Sequence, residues 1–351
     1  MKSLRRTLAV CCVLGLLMAL CGCSGTAKQP EKQGKEYYLY FDTVSYVYSY
    51  AGDSEETFAA NCSVVEETLK TYHQLFDIYN EYEGINNLCT VNRLAGGEPV
   101  EVDERLIDFL LYAKELHGKT NGEMNILLGA VLSIWHDYRT AALEDPDSAA
   151  VPTQEELLDA AQHTDISLLE IDEARHTVRL TDPEASIDVG AVGKGYATEQ
   201  AAAALIAQGA DSYVLDIGGN LRIIGSKPDG AAFTTGIRDP KAPNSQYAAI
   251  ISVADTSCVT SGDYERYFEV DGMRYHHIID QDTLWPADYF SSVTVITQDS
   301  ALADALSTAL FTMPYEAGCE VVEAMDGVEV FWILHDGTTK YTPGLETMLT
   351  K

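Results

Sequence analysis

The chain has 351 residues, 46% hydrophobic and 22% charged. That is a globular composition and excludes a disordered, collagen-like or low-complexity chain. Lys plus Arg number 23 against 54 Asp plus Glu, a formal charge of -31. Such a surface argues against nucleic acid, whose affinity rests on neutralising phosphates. An anionic small substrate would need a metal ion, backbone N–H groups or a few well-placed cations.

Lys2, Arg5 and Arg6 precede an apolar run from Leu8 to Leu20 that closes on Cys21-Gly22-Cys23-Ser24. Basic, apolar and small-residue segments in that order predict a signal peptide over residues 1–22. The run is shorter than the roughly 20 residues of a membrane span. Leu20-Cys21-Gly22-Cys23 resembles a bacterial lipobox. That resemblance implies a lipidated Cys23 and a protein anchored in the cell membrane, facing away from the cytoplasm; plain secretion is the alternative. Residues 24–36 are polar and read as a flexible tether. The cysteines beyond it, Cys62, Cys89, Cys258 and Cys319, contain no CxxC pair. They read as small core residues and not as a zinc site.

Tyr37 to Tyr50 is aromatic and β-branched, which predicts a strand. Phe58, Cys62, Val65, Leu69, Tyr72 and Phe76 then follow at helical spacing. Leu106, Phe109, Leu110, Ala113 and Leu116 repeat that pattern, with Gly118 as a stop. Residues 137–165 are polar and read as a surface excursion with a helix near 155–162. A Gly-punctuated turn at 186–195 opens an Ala-rich helix to about residue 208. Strands are expected at 213–215, 221–224, 233–237, 248–253 and 292–296, then a helix over 301–311 with Ser300 as N-cap. Strands and helices mix without strict βαβ alternation. The expected fold is therefore α+β, a single large domain over 37–351 with a mixed, mostly antiparallel sheet and packed helices.

Asp304 and Thr308 are four apart and share one helix face, so a carboxylate and a hydroxyl offer hard oxygens to one cation. The same spacing also suits an ordinary solvated face. In Asp188-Val-Gly190-Ala191-Val-Gly193-Lys194-Gly195, glycines permit close backbone approach to a ligand. The helix that follows favours anions at its N-terminus; a plain turn is the competing reading. In Tyr275-His276-His277-Ile278, adjacent strand residues face opposite ways, so one imidazole at most enters a site. His277 is the candidate general base. Leu215 to Asn220 is a further Gly-rich strand end that also reads as a turn.

Together these segments resemble the ApbE family, the FAD:protein FMN transferases. The resemblance rests on Phe41-Asp42-Thr43, Gly122 to Asn125, Asp188 to Gly195, Gly218-Gly219-Asn220, Thr260 to Asp263, His277 to Gln281 and Ala303 to Thr308. It implies an enzyme that takes FAD as substrate with Mg²⁺, attaches FMN to a Thr hydroxyl of an exported or membrane redox protein, and releases AMP. By position, Asp304, Thr308 and the Ala191 carbonyl would ligate the metal. Asp188 and Lys194 would hold FAD, with Phe41, Tyr79, Glu123, Met124, Asn125 and Ile278 lining its site. Asp188 and His277 would form the catalytic pair, His277 as base toward the acceptor Thr. The chain departs from the family pattern at Glu123-Met124-Asn125, at Gln281 and at Leu284-Trp285. An FAD pyrophosphatase giving FMN and AMP fits the same motifs; a non-catalytic flavin-binding lipoprotein is a further alternative, against which Asp304, Thr308 and His277 count because it would need neither metal nor base. The acceptor's own Thr motif is missing from this chain.

Overall fold

The computed structural model describes residues 30–242 and 246–350. The expected signal peptide, Cys23 and residues 24–29 of the tether lie outside the described residues. Among the described residues no helix is long and apolar enough to cross a membrane.

The aromatic run at 37–50 is not one strand. β1 (Gln33–Tyr37) begins inside the stretch read as tether and pairs antiparallel with β2 (Ser45–Ser49). Between them the chain reverses through Phe41 and Asp42, both left-handed at φ 56° and 49°. No Gly, Pro or Asn marks this turn, so residue type alone conceals it. β3 (Val100–Glu101), β4 (Leu169–Asp172) and β5 (Thr177–Leu180) form a small sheet in the order β3-β5-β4.

β6 (Ser212–Ile217) and β7 (Asn220–Gly225) join the main sheet, whereas β8 (Phe233–Arg238) and β9 (Tyr247–Val253) form a separate hairpin, with Ile251 bridging Leu349. β10 (Thr256–Gly262) returns to the main sheet, and β11 (Tyr267–Val270) with β12 (Met273–His276) makes a separate hairpin. β13 (Ser292–Thr297), β14 (Glu329–Ile333) and β15 (Thr339–Tyr341) complete the main sheet in the order β1-β2-β6-β7-β10-β13-β14-β15. Every pairing in it is antiparallel, as the α+β expectation required.

Alternation along the strands divides the core in two. Ile224, Val259, Val293, Val295, Val330 and Trp332 face the helices. Ile223, Cys258, Ile296, Phe331 and Ile333 face the β8–β9 hairpin, which supplies Phe233, Ile237, Ile251 and Val253. All of β13 is buried, as befits a strand covered on both sides. The helix Glu55–Phe76, capped by Ser54, packs on the helix Gly193–Ala207, which packs in turn on the helix Ser300–Ala309.

The helix Glu104–Lys119 runs through Gly118, and it ends where Asn121 and Gly122 turn left-handed. The helix Gly129–Glu144 extends into the expected surface excursion, followed by a shorter helix over Gln154–Ala160. Its Trp135 and Val131 pack with Phe268, Ile279 and Leu284 in a third apolar cluster. The departures at Leu284-Trp285 belong to this cluster. Trp135 Nε1 donates to the Leu284 carbonyl at 2.9 Å, and the Trp135 and Trp285 rings meet edge to face at 5.2 Å. The four cysteines are free, with Cys62 and Cys258 buried.

Candidate active site

The Gly-rich segment is pinned before it turns. Asn92 clasps Ile187 with two hydrogen bonds of 2.8 and 2.9 Å, and the Asp188 N–H donates to the Ile126 carbonyl at 2.8 Å. A Cβ on Gly129 would lie 2.3 Å from the Ser186 carbonyl oxygen, so the helix of Gly129 can press on this strand only as glycine. The chain then closes a turn on Val189 and enters the helix at Gly193. The Asp188 carboxylate accepts the Gly190 N–H at 2.8 Å. Burial raises its pKa despite that bond and the nearby charges of His136 and Lys194.

The helix Gly193–Ala207 has no side-chain cap of its own. Asp304 takes that place from the neighbouring helix. Its Oδ2 accepts the Gly195 N–H at 2.7 Å and lies 3.9 Å from Lys194 Nζ, an anion on a helix N-terminus. Lys194 Nζ also reaches the Gly190 carbonyl at 3.4 Å, which brings the turn holding Ala191 beside Asp304. Asp304 is 4% exposed. Burial raises its pKa, opposed by Lys194, Gly195 and the adjoining Asn220 amide. Thr308 stands one turn along, and Ser261 Oγ bridges it at 3.3 Å to Ser307 at 2.9 Å. Ser300 is not the N-cap of this helix. Asp299 accepts the N–H groups of Ala301 and Leu302, while Glu199 accepts that of Ser300 at 2.8 Å.

Asp304 and Thr308 thus stand one turn apart on the same helix; Asp304 meets the Gly-rich segment at Gly195, and Thr308 meets Ser261 of β10. Their chemistry fits a hard divalent cation. The buried carboxylate has Lys194 at 3.9 Å as its counter-charge, and Thr308 one turn along offers a neutral oxygen. Among the described residues no group of three His, Cys, Asp or Glu side chains could hold a metal, so this set has one carboxylate only.

His276 and His277 separate as expected. His276 is buried, with Nδ1 accepting the Ile278 N–H at 3.2 Å and Nε2 donating to the Ala287 carbonyl at 2.9 Å. His277 opens to the cleft with no hydrogen-bond partner among the described residues. The crowding of protein around it pushes its pKa well below the ordinary value, and Arg266, His276, Lys194 and Arg139 push the same way. Its ring reaches solvent all the same, and the imidazole is neutral at pH 7.

Tyr79 is 61% exposed and is set by Asp77, whose carboxylate accepts the Tyr79 and Asn80 N–H groups at 2.7 and 2.9 Å. Its ring lies 5.4 Å from that of His136, and burial, followed by the Asp188 charge, raises its pKa. Phe41 donates its N–H to His73 Nδ1 at 3.3 Å, and their rings meet edge to face. Ile278 is buried beneath His277. Glu123 is half-buried and accepts the Thr312 hydroxyl at 3.2 Å; burial pushes its carboxyl up to about 7. Two expected FAD-lining side chains are otherwise engaged. Met124 is 1% exposed in the main core, and Asn125 donates to the Thr164 carbonyl while accepting the Leu127 N–H, each at 2.9 Å. His136, beside Tyr79, and Arg139, which acts on His277, have no motif to announce them, whereas Arg266 follows the Thr260–Asp263 motif.

The family model described as "ApbE family" matches residues 42–332. The chain belongs to the ApbE family. A relative named FAD:protein FMN transferase from Treponema pallidum (strain Nichols) is 33% identical over 348 residues, covering 94% of this chain and 92% of that protein. Another of that name from Vibrio cholerae (strain O395) is 30% identical over 312 residues, covering 89% of each. Among solved structures, the ApbE protein of Thermotoga maritima superposes with a TM-score of 0.78 at 27% identity, over 92% of this chain and all of that one. The flavin transferase ApbE of Vibrio cholerae does so at 0.75 and 26% identity, over 91% and 99%. The ApbE fold therefore extends across nearly all of the described chain.

Proposed function

We propose that the chain is an FAD:protein FMN transferase that moves FMN from FAD to a Thr hydroxyl of an exported or membrane redox protein and releases AMP. Its curated relatives carry that enzyme name. The observation that carries the chemistry is the exposed, neutral imidazole of His277 within the influence of Lys194, whose Nζ lies 3.9 Å from Asp304.

In this reading the Thr oxygen attacks the phosphorus on the FMN side of the diphosphate. The P–O bond to the AMP phosphate breaks, and AMP leaves with its electron pair. The hydroxyl proton passes to a ring nitrogen of His277, which is unprotonated and free to accept it. Lys194 supplies a fixed positive charge near the diphosphate, and Asp188 with Tyr79 forms the neighbouring wall. Mg²⁺, held by Asp304, Thr308 and the Ala191 carbonyl, would neutralise charge on the diphosphate and the departing phosphate. A lipid anchor at Cys23 on the outward face of the membrane belongs to the same proposal and is supported by the pattern of residues 1–23.

The test is a mixing experiment with residues 24–351, FAD, Mg²⁺ and an acceptor protein of the family's Thr type, read by intact mass with and without chelator. Expected is a chelator-sensitive gain of one FMN on the acceptor with AMP released. Free FMN and AMP without an adduct would replace the transferase by a pyrophosphatase, and unchanged bound FAD would leave a flavin-binding protein. For the anchor, Cys23→Ala should release the protein from membranes and abolish lipid labelling.

A further inference from the structure

Nine arginines lie within the described residues. Seven of them, Arg93, Arg105, Arg175, Arg179, Arg222, Arg238 and Arg274, stand within ion-pair distance of a carboxylate. In a chain with 54 acidic residues this is the expected fate of an arginine. Arg139 and Arg266 are the exceptions. Neither has an ion-pair or hydrogen-bond partner among the described residues, and they come from adjacent elements: the helix Gly129–Glu144 that carries Arg139 packs through Trp135 on Phe268, two residues past Arg266, and on Tyr275, two residues before His277. Each lies close enough to His277 and to Tyr79 to act on their charge, and the two guanidinium groups oppose one another.

Arg139 projects from the helix Gly129–Glu144, and its Nε is fully buried without a partner. A buried donor with no acceptor is costly. Arg266 is exposed on the short β10–β11 connection, where the chain turns through φ 47°. Two like charges near enough to oppose one another, one of them with an orphaned buried donor, suit an anion that arrives from outside.

Two guanidinium groups suit the oxygens of a phosphate, which accept paired N–H donors. His277 fixes which phosphate. A base that takes a proton from the attacking hydroxyl must stand within one hydrogen bond of that hydroxyl, hence beside the phosphorus under attack. Cations flanking the base face the non-bridging oxygens of the same phosphoryl group, where charge concentrates during transfer. We propose that Arg139 and Arg266 form a clamp for the FMN-side phosphate of FAD beside His277. This rests on the transferase reading and adds two phosphate-binding residues to it.

The test compares FMN with riboflavin, which differ by this phosphate alone, binding to chelator-treated protein and followed by flavin fluorescence. Wild-type protein should prefer FMN by about tenfold or more, the scale of charge-assisted hydrogen bonds. Arg139→Gln and Arg266→Gln should each cut that preference, and the double variant should remove most of it. Riboflavin affinity should stay unchanged in all three, which also shows that the flavin site remains folded. If the double variant fails to fold, the single variants and Arg139→Lys, which should keep part of the preference, decide. An FMN preference that survives both single substitutions overturns the clamp. So does a survival coupled to a raised KM for the acceptor protein, which would assign the arginines to an acceptor carboxylate. If wild-type protein binds neither FMN nor FAD, the transferase reading fails first, and the clamp with it.

Discussion

The Gly195 N–H and the Asp304 carboxylate meet at 2.7 Å across 109 positions of sequence, and they meet only because residue 195 has no side chain. A Cβ there would stand 2.3 Å from the Asp304 Cβ and 2.4 Å from the Ser300 carbonyl oxygen, both on the facing helix. Gly195→Ala should therefore force the helices Gly193–Ala207 and Ser300–Ala309 apart. Overpacking of this kind costs about 1–3 kcal/mol, measurable by urea unfolding. It should also weaken metal-stimulated turnover, since it displaces Asp304 directly. Unchanged stability would mean that the two helices slide freely.

Asp304→Asn separates the carboxylate's charge from its shape. The amide oxygen can still accept the Gly195 N–H, and removing an incompletely balanced buried charge need not harm the fold. The variant should stay folded and lose metal-stimulated AMP release by about 100-fold or more, the scale of a lost electrostatic partner in a transition state. Titration of Mg²⁺ by calorimetry, alongside AMP release with and without chelator, checks both halves. A variant that keeps its chelator-sensitive activity would remove Asp304 from the metal set.

What the sequence revealed was local. The Asp188–Gly195 turn, the shared face of Asp304 and Thr308, and the opposite fates of His276 and His277 all follow from spacing within a few residues. What it concealed was either non-local or carried by untypical residues. Arg266 follows on the Thr260–Asp263 motif, but Arg139 comes from an amphipathic helix outside every motif, and only the fold brings that helix against the strands that flank His277. The β1–β2 turn hides within an aromatic run because Phe41 and Asp42 adopt the left-handed conformation that glycine usually supplies. Asp299 and Ser300 are both good capping residues, and the choice between them depends on Glu199, on another helix, which accepts the Ser300 N–H.

His277→Ala should separate chemistry from binding. The ring is open to the cleft and makes no hydrogen bond that holds the fold together, so its loss should leave FAD affinity within about threefold while kcat falls by about 10²–10⁴. Its lowered pKa keeps the imidazole unprotonated at neutral and mildly acidic pH. The kcat/KM profile of the wild-type protein should therefore show no acid limb from His277 between about pH 5 and 7. Rapid-quench measurement of FMN transfer beside fluorescence titration of FAD reads both. Equal loss of binding and rate would make His277 a binding residue and leave the base unassigned.

Glu123 makes stability depend on pH in a direction opposite to a salt-bridged carboxylate. Burial lifts its pKa from 4.5 to about 7, with the Asp282 and Asp280 charges adding to the rise and the Thr312 hydroxyl opposing it. Below pH 4.5 the carboxyl is protonated in folded and unfolded chains alike and contributes nothing. Between 4.5 and 7 the unfolded chain releases a proton that the folded chain retains, so folding loses free energy as pH rises. Above 7 the cost is constant. Glu123→Gln keeps the size and a hydrogen-bonding oxygen but cannot ionise. It should match wild-type stability near pH 5 and exceed it at pH 8 by on the order of 1–2 kcal/mol, allowing for the solvent that reaches a half-buried group. Urea unfolding of both proteins at the two pH values checks the sign. Equal stability at pH 8 would mean that the Glu123 carboxylate is well solvated where it stands beside Thr312.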